Sequence, residues 1–261
     1  MKVKGKIVAL TGGGGGIGSH IAKRLIARGA RLVVIDRTET LPFEAEHIRG
    51  DLSTLDGIQD IARQLTALRP DVLINLAGVQ YFGPLSDQSD SSISLGYTIN
   101  LVAPVLLTRA VLPAMIEAGK GQIVNVGSIF GSISFAHFAT YSSAKSGLRS
   151  FSEALRRETS GSGVEVSYVA PRAVRTPLNT QKVLEYAALT GMKMDEPESV
   201  ARRIVTALIH GRKDVYLGFP ESFFVRLNGL LPRIVDGALR KNDDLARSLF
   251  LDSHPLTLPK S

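Results

Sequence analysis

The sequence predicts an α/β fold, a doubly wound parallel sheet covered by helices on both faces. Three observations carry that prediction. Short apolar runs of strand length alternate with helix-period segments from residue 7 to residue 217. The first run ends in a glycine-rich turn, Thr11-Gly12-Gly13-Gly14-Gly15-Gly16-Ile17-Gly18, and a helical pattern follows. At 261 residues and 44% hydrophobic, the chain is ample for one such domain and short for two.

The opening unit reads strand 7–10, glycine turn, helix 17–28, strand 31–35, with Gly29 closing the helix. A third strand over 46–49 ends near Asp51-Leu52. Helix 58–68 stops at Pro70, and strand 71–74 leads into Asn75-Leu76-Ala77-Gly78. A long helix over 100–117, starting at Asn100, precedes strand 122–126. Helix 141–158, strand 164–169, helix 198–209 and strand 214–217 complete the alternation. The apolar stretch 93–116 contains Asn100 and Arg109, so it reads as a core helix rather than a membrane span.

Composition narrows the function. With no cysteine there is no disulfide, thiolate metal site or cysteine nucleophile. The five histidines show no metal-ligand spacing, so no metal is expected. No apolar secretory segment follows the basic start, and the expectation is a cytoplasmic protein. The net charge is +7, but the basic residues are scattered and tryptophan is absent. Nucleic acid is therefore not an expected partner. Weak attraction to anionic lipid, or to an anionic substrate carrier, suits the charge better.

The glycine turn places free backbone N–H groups at the positive end of a helix, where a phosphate is the natural ligand. Gly12, Gly16 and Gly18 carry that spacing. Asp36, about twenty residues on, stands where a carboxylate would accept adenosine ribose hydroxyls; a turn cap is the alternative. A carboxylate there repels a 2′-phosphate, while Arg37 beside it could attract one. NAD is favoured over NADP. Asp51 could bond an adenine amino group or belong to a helix-capping cluster with Ser53 and Thr54. The small residues after Asn75 suit close packing on adenosine.

Tyr141 and Lys145, four apart, share one helix face. A neighbouring ammonium lowers a phenol's pKa, so the pair can act as acid and base on an alcohol or carbonyl. Ser128 lies at a strand's carboxyl end, where its hydroxyl could hold the substrate oxygen. Asn100 could anchor a water near Lys145.

Together these residues resemble the short-chain dehydrogenase/reductase family of classical type. The matching features are Thr11-Gly12-x-x-x-Gly16-Ile17-Gly18, Asp51-Leu52, Asn75-x-Ala77-Gly78, Asn100, Ser128, Tyr141-x-x-x-Lys145 and Pro171-x-x-Val174-x-Thr176. They run in family order over about residues 5–178, with weaker similarity to about 218. The resemblance implies a Rossmann fold with seven strands in the order 3-2-1-4-5-6-7. It implies Tyr141 as proton donor and acceptor and Ser128 as the substrate-orienting group. Lys145 would bind the nicotinamide ribose and lower the phenol's pKa, and Asn100 would support a proton-relay water. The cofactor residues would be Gly12, Gly16, Ile17, Gly18, Asp36, Asp51, Leu52, Asn75, Ala77, Gly78, Tyr141 and Lys145. Val174 and Thr176 would contact the carboxamide. A homodimer or homotetramer would form through helices 100–117 and 141–158.

Some positions depart from the family pattern. Leu76 replaces an asparagine, and Arg172 replaces a glycine after Pro171. Arg172 either meets substrate or turns outward. Phe135, His137 and Phe138 are expected to line the substrate pocket, His137 as wall rather than catalyst. Residues 180–194 fall where the family has its lid; Tyr186 and the methionines there suit an apolar substrate.

Residues 1–218 form the expected Rossmann domain, and 219–261 an amphipathic helical extension of it. In the extension Arg226, Arg233, Arg240 and Arg247 recur every seven residues beside an apolar face. Such a helix either lies on a membrane surface, here the inner face, or packs on its own sheet or a partner subunit. The reading is an NAD(P)-dependent oxidoreductase interconverting hydroxyl and carbonyl on a lipid-like, steroid-like or acyl substrate, with a place in lipid metabolism. The alternatives are a non-catalytic dinucleotide-binding regulator and a reductase of carrier-bound acyl chains.

Overall fold

The computed structural model describes residues 2–250. Its strands are β1 (Ile7–Thr11), β2 (Arg31–Asp36), β3 (Glu46–Arg49), β4 (Val72–Asn75), β5 (Gly121–Val126), β6 (Val164–Ala170) and β7 (Asp214–Tyr216). They form one seven-stranded sheet in the order β3-β2-β1-β4-β5-β6-β7, every pairing parallel. The fold is the Rossmann-like doubly wound sheet that the sequence predicts. The chain steps outward from β1 to β3, then returns to lay β4 on the other side of β1. That reversal opens a crevice at the carboxyl ends of β1 and β4, where ligands bind in sheets of this kind.

The helices are α1 (Gly16–Ile26), α2 (Leu55–Leu68), α3 (Asp90–Tyr97), α4 (Ala103–Glu117), α5 (Ala139–Glu158), α6 (Gln181–Thr190), α7 (Pro197–Ile209), α8 (Glu221–Leu230) and α9 (Pro232–Ser248). Side chains alternate across each strand, and both faces are covered. Val8 and Leu10 of β1 pack with Ile21 and Leu25 of α1 and Ile204 and Leu208 of α7. Ala9, between them, faces the opposite layer with Ile61, Leu65, Leu107 and Val111 of α2 and α4. Each fully buried Leu, Ile or Val contributes roughly 1.5–3 kcal/mol of transfer free energy.

Two expected elements differ. The helix predicted to start at Asn100 begins at Asp90, where the Ser89 hydroxyl accepts from the Ser92 N–H at 3.3 Å. Asn100 sits inside a single π turn, Thr98–Val102, joining α3 to α4. Ser91, Ser92, Ser94 and Gly96 dilute the helical pattern there, and tertiary packing overrides their weak propensity. The combined run Asp90–Glu117 is long and apolar enough to cross a membrane by length and composition. Here α4 lies along the sheet, with Ala103, Leu107, Val111 and Met115 buried against it.

The second difference is the extension. It is two helices, α8 and α9, broken at Leu231-Pro232, so the arginine period does not follow one continuous helix. Its inward residues Val225, Val235, Ala246 and Phe250 are buried against the segment after β5 and against α6. The expectation of packing on the chain's own domain describes this face. The outward side exposes Phe219, Phe223, Leu230, Leu231 and Ile234. Residues 251–261 of the predicted extension lie outside the described residues.

The glycine turn gives the fold a sharp test. A Cβ on Gly18 would fall on the carbonyl oxygen of Gly12, which the first turn of α1 cannot vacate. Gly18→Ala is expected to cost about 3 kcal/mol by overpacking, read as a lowered midpoint in urea unfolding.

Candidate active site

Three side chains meet at the carboxyl end of β5. Ser128 follows the strand in extended conformation, and its Oγ accepts from the Phe130 N–H at 3.1 Å, closing the short turn Ile129–Gly131. Tyr141 and Lys145 project from the first turns of α5. The three are 8%, 9% and 4% exposed, and all line one cleft of about 130 Å³. Ser128 is hydrogen-bonded to Tyr141. Lys145 Nζ donates to the Val126 carbonyl at 3.2 Å and lies 5.9 Å from the Tyr141 ring centre.

Electrostatics differ from the sequence expectation. Burial pushes the Tyr141 phenol above its ordinary value, and the bond to Ser128 pulls it back only in part. Burial also pulls Lys145 down, to about 8. From the protein's own groups, therefore, Lys145 does not lower the phenol. Both desolvated groups favour their neutral forms, because removing charge from water outweighs an attraction across that distance.

Asn100 is fully buried behind this cleft. Its Nδ2 donates to the carbonyls of Val79 at 2.8 Å and Gly96 at 2.9 Å, and its Oδ1 accepts from the Val79 N–H at 3.3 Å. The side-chain amide is committed to backbone, so it fixes the 78–79 turn. A Cβ on Gly78 would come within 2.9 Å of Asn100 Oδ1 and 3.5 Å of Lys145 Nζ, so that turn passes close to both.

A second opening, about 350 Å³, lies over β1 and β2 and is lined by Gly12, Asp36, Asp51, Leu52, Ala77 and Gly78. Asp36 Oδ2 accepts from the Gly14 N–H at 2.9 Å and its Oδ1 from the Thr38 N–H at 3.1 Å. Its carboxylate thus braces the glycine turn while facing the opening. Asp51 accepts from the Ser53 hydroxyl at 2.6 Å and N–H at 2.8 Å, which holds its carboxyl below the usual range. The cap of α2 is Thr54, not Asp51. Gly16 admits Thr176 over the start of α1, since a Cβ there would meet the Thr176 methyl at 2.9 Å. Ile17, Val174 and Thr176 line the cleft with Tyr186.

Four predicted residues take other places. Asn75 is buried within the sheet, its Nδ2 donating to Asn125 Oδ1 at 2.8 Å and to Thr108 Oγ1 at 3.2 Å. It ties β4 to β5 and α4 and faces neither opening. Arg172 does not turn outward: it borders the cleft with its charge held by two carboxylates. Its guanidinium pairs with Asp195 at 2.7 Å and Glu221 at 3.1 Å, linking the loop after β6 to the base of α7 and to α8. His137 adopts positive φ and stacks on Phe250, outside the cleft. Phe135 stacks on Phe130 and faces a separate chamber under α8 and α9.

Two residues here escaped the sequence reading. Thr11 Oγ1 accepts from the N–H groups of Leu76 and Ala77 at 3.0 and 3.1 Å, pinning that turn to β1. Phe130 walls both the cleft and the chamber. A threonine ending the first strand signals the former; nothing in the local pattern signals the latter.

A buried phenol, ammonium and hydroxyl at the carboxyl edge of a doubly wound sheet define a class, the oxidoreductases acting on the CH–OH/C=O couple. The family model for short chain dehydrogenases matches residues 6–187, and the chain belongs to the short-chain dehydrogenase/reductase family. It is similar to the ketoacyl reductase HetN of Nostoc sp., 32% identical over 223 residues, covering 78% of this chain and 75% of that one. It is also similar to dehydrogenase/reductase SDR family member 7B of Xenopus tropicalis, 31% identical over 255 residues, covering 87% and 82%. A short chain dehydrogenase from Burkholderia cenocepacia, solved with NADP, superposes with a TM-score of 0.79 over 92% of this chain and 99% of that one. At 22% identity that likeness speaks to the fold.

Lys145 links the site to stability. Folding lowers its pKa from the ordinary lysine value to about 8. The unfolded chain therefore binds the proton more tightly, and the penalty is full below pH 8 and fades as pH rises toward the lysine value. Lys145→Met is expected to raise the melting temperature by several degrees at pH 7, at about 2–4 °C per kcal/mol. The gain should shrink in melts recorded toward pH 10.

Proposed function

We propose that the chain interconverts a hydroxyl and a carbonyl on an apolar substrate, with Tyr141 as acid and base and NAD as the favoured cofactor. The observation that supports this most is the meeting of Ser128, Tyr141 and Lys145 in one buried cleft.

The residues fit a dinucleotide. α1 begins at Gly16 with no side-chain cap and no acidic residue in its first turn, so its positive end is free for a pyrophosphate. Asp36 faces the adenosine opening with Asp51, Leu52, Ala77 and Gly78. A carboxylate there suits ribose hydroxyls and disfavours a 2′-phosphate; exposed Arg37 is the opposing influence. Lys145, Val174 and Thr176 would hold the nicotinamide end. A bound nicotinamide supplies or accepts the hydride. In reduction Tyr141 gives its phenolic proton to the carbonyl oxygen while Ser128 donates a hydrogen bond to that oxygen. In oxidation the phenolate takes the hydroxyl proton. The raised phenol pKa suits proton donation at neutral pH, and Lys145 loses its charge near pH 8. Reduction should be flat below that point and decline above it.

An apolar substrate is supported by Phe130, Phe138, Val183, Tyr186 and Met192 around the cleft. Carrier-bound acyl chains are the second reading, favoured by the similarity to a ketoacyl reductase. Arg172, the cation that might have met such a carrier, is already held by Asp195 and Glu221. We further assign this protein to the cytoplasmic face of a membrane as a homo-oligomer pairing through α4 and α5. Exposed Phe223, Leu230, Leu231 and Ile234 surround Arg226 and Arg233, the pattern of an interfacial hairpin on anionic lipid.

Tyr141→Phe should lower turnover of ketones by about 10²–10⁴-fold, with NADH binding retained in a fluorescence titration. Normal turnover in that variant would refute Tyr141 as the acid. In flotation, vesicles containing anionic lipid should carry the protein. Phe223→Ser combined with Ile234→Ser should release it, and equal recovery of both proteins would refute the membrane assignment.

A further inference from the structure

The catalytic cleft, at about 130 Å³, is small beside the 300–1,000 Å³ of ordinary small-molecule sites. It must also receive the reactive end of a cofactor. Next to it lies a chamber of about 350 Å³. One side is the segment after β5, with Ile129, Ile133 and Phe135; the other is the hairpin of α8 and α9, with Phe224, Val235 and Leu239. The cleft and the chamber share Phe130, Arg172, Ala173 and Met192 as a common wall. Met192 is the flexible, unbranched member of that wall. Arg172 is paired with Asp195 and Glu221, which ties α8 to the loop after β6 as the chamber's outer side. The space opens to solvent at the hairpin and its lining is mainly apolar, with Arg172, Lys193, Glu221 and Asn242 among its polar members.

We propose that this chamber is the binding site for the apolar chain of the substrate. The carbonyl end sits at Ser128 and Tyr141, and an unbranched alkyl chain passes Met192 and Phe130 to lie beneath the hairpin. The chamber is a specificity device belonging to the extension, and the proposal rests on the oxidoreductase reading above. Chain length, rather than head-group charge, then sets preference.

The test compares alkan-2-ones from butan-2-one to dodecan-2-one as substrates with NADH. Transfer of each methylene from water into the chamber should raise kcat/KM about fourfold, until the chain fills the space. Ala238 lines the chamber and is solvent-exposed on α9, so Ala238→Trp adds bulk without replacing a core residue. Leu239→Trp plugs the same space from the next position. In each plugged variant the ratio of kcat/KM for dodecan-2-one to that for butan-2-one should fall at least tenfold. The rise in melting temperature produced by 1-decanol should vanish with it. An unchanged ratio in a folded, active variant overturns the chamber and leaves the oxidoreductase reading standing. If no ketone is turned over but the decanol shift is lost on plugging, the chamber stands and the oxidoreductase reading falls. A decanol shift that survives both plugs overturns the chamber whatever the activity.

Discussion

The site depends on keeping one lysine out of water. Lys145 is buried on α5 with the Val126 carbonyl as its hydrogen-bond partner, and burial weakens its hold on its proton. An ammonium in such a place is costly, and the surrounding backbone is arranged so that it can do nothing else. The short turn after β5 presses directly on α5, since a Cβ at Gly131 would meet the Lys145 backbone at 2.6 Å. Gly78 passes the Nζ from the other side, and Asn100 locks that passage through Val79. The π turn that interrupts the α3–α4 run places Asn100 where its amide can make those bonds. Irregular helical turns of this type collect at functional sites because they re-aim one side chain without ending the helix.

The same constraint explains why the protein gives up stability here. A chain optimised only for folding would put an apolar residue at position 145 and close the cleft. Instead two titratable groups are held desolvated, in forms that respond strongly to any nearby charge. The phenol's pKa is raised by burial and partly relieved by Ser128, so it keeps its proton at neutral pH. The glycine turn applies the same logic to backbone. It stays uncapped at α1 and is braced by Asp36, so its free N–H groups are oriented before any anion arrives.

What could be read from the sequence follows the range of each interaction. The alternation of strands and helices rests on local periodicity, visible in one dimension; the strand order and the joint site of Ser128, Tyr141 and Lys145 are what the family resemblance implies. The misread residues depend on partners far away in sequence. Asn75 has the right spacing for a ligand contact, yet Asn125, fifty positions on, claims its amide inside the sheet. For Arg172 the sequence offers a substrate contact or a surface residue; Asp195 and Glu221 hold it at the edge of the cleft, which removes the second. Asn100 was expected to begin a helix because its upstream serines and glycine weaken the pattern that packing enforces. The phenol's pKa is expected to fall beside the ammonium and the nicotinamide ring together; burial in the protein, which no spacing rule reports, acts in the opposite direction.

The extension joins these threads. Its inner face supplies Val225, Val235, Ala246 and Phe250 to the aromatic and aliphatic clusters beside the cleft, and Asn228 donates to the Ser132 carbonyl at 2.9 Å. Removing it would therefore uncover Phe130 and Phe138 and loosen the wall of the site, not merely trim a tail. Its outer face leaves large apolar side chains in water beside Arg226 and Arg233, which make no ion pair among the described residues. The helix pair is thus bonded to the walls of the site on one side and exposes apolar and basic side chains on the other. The ion pairs of Arg172 fix the near end of α8, while the break at Leu231-Pro232 leaves the far end outward. Charge thus anchors the hairpin beside the cleft, and the exposed apolar side chains gather at its far end.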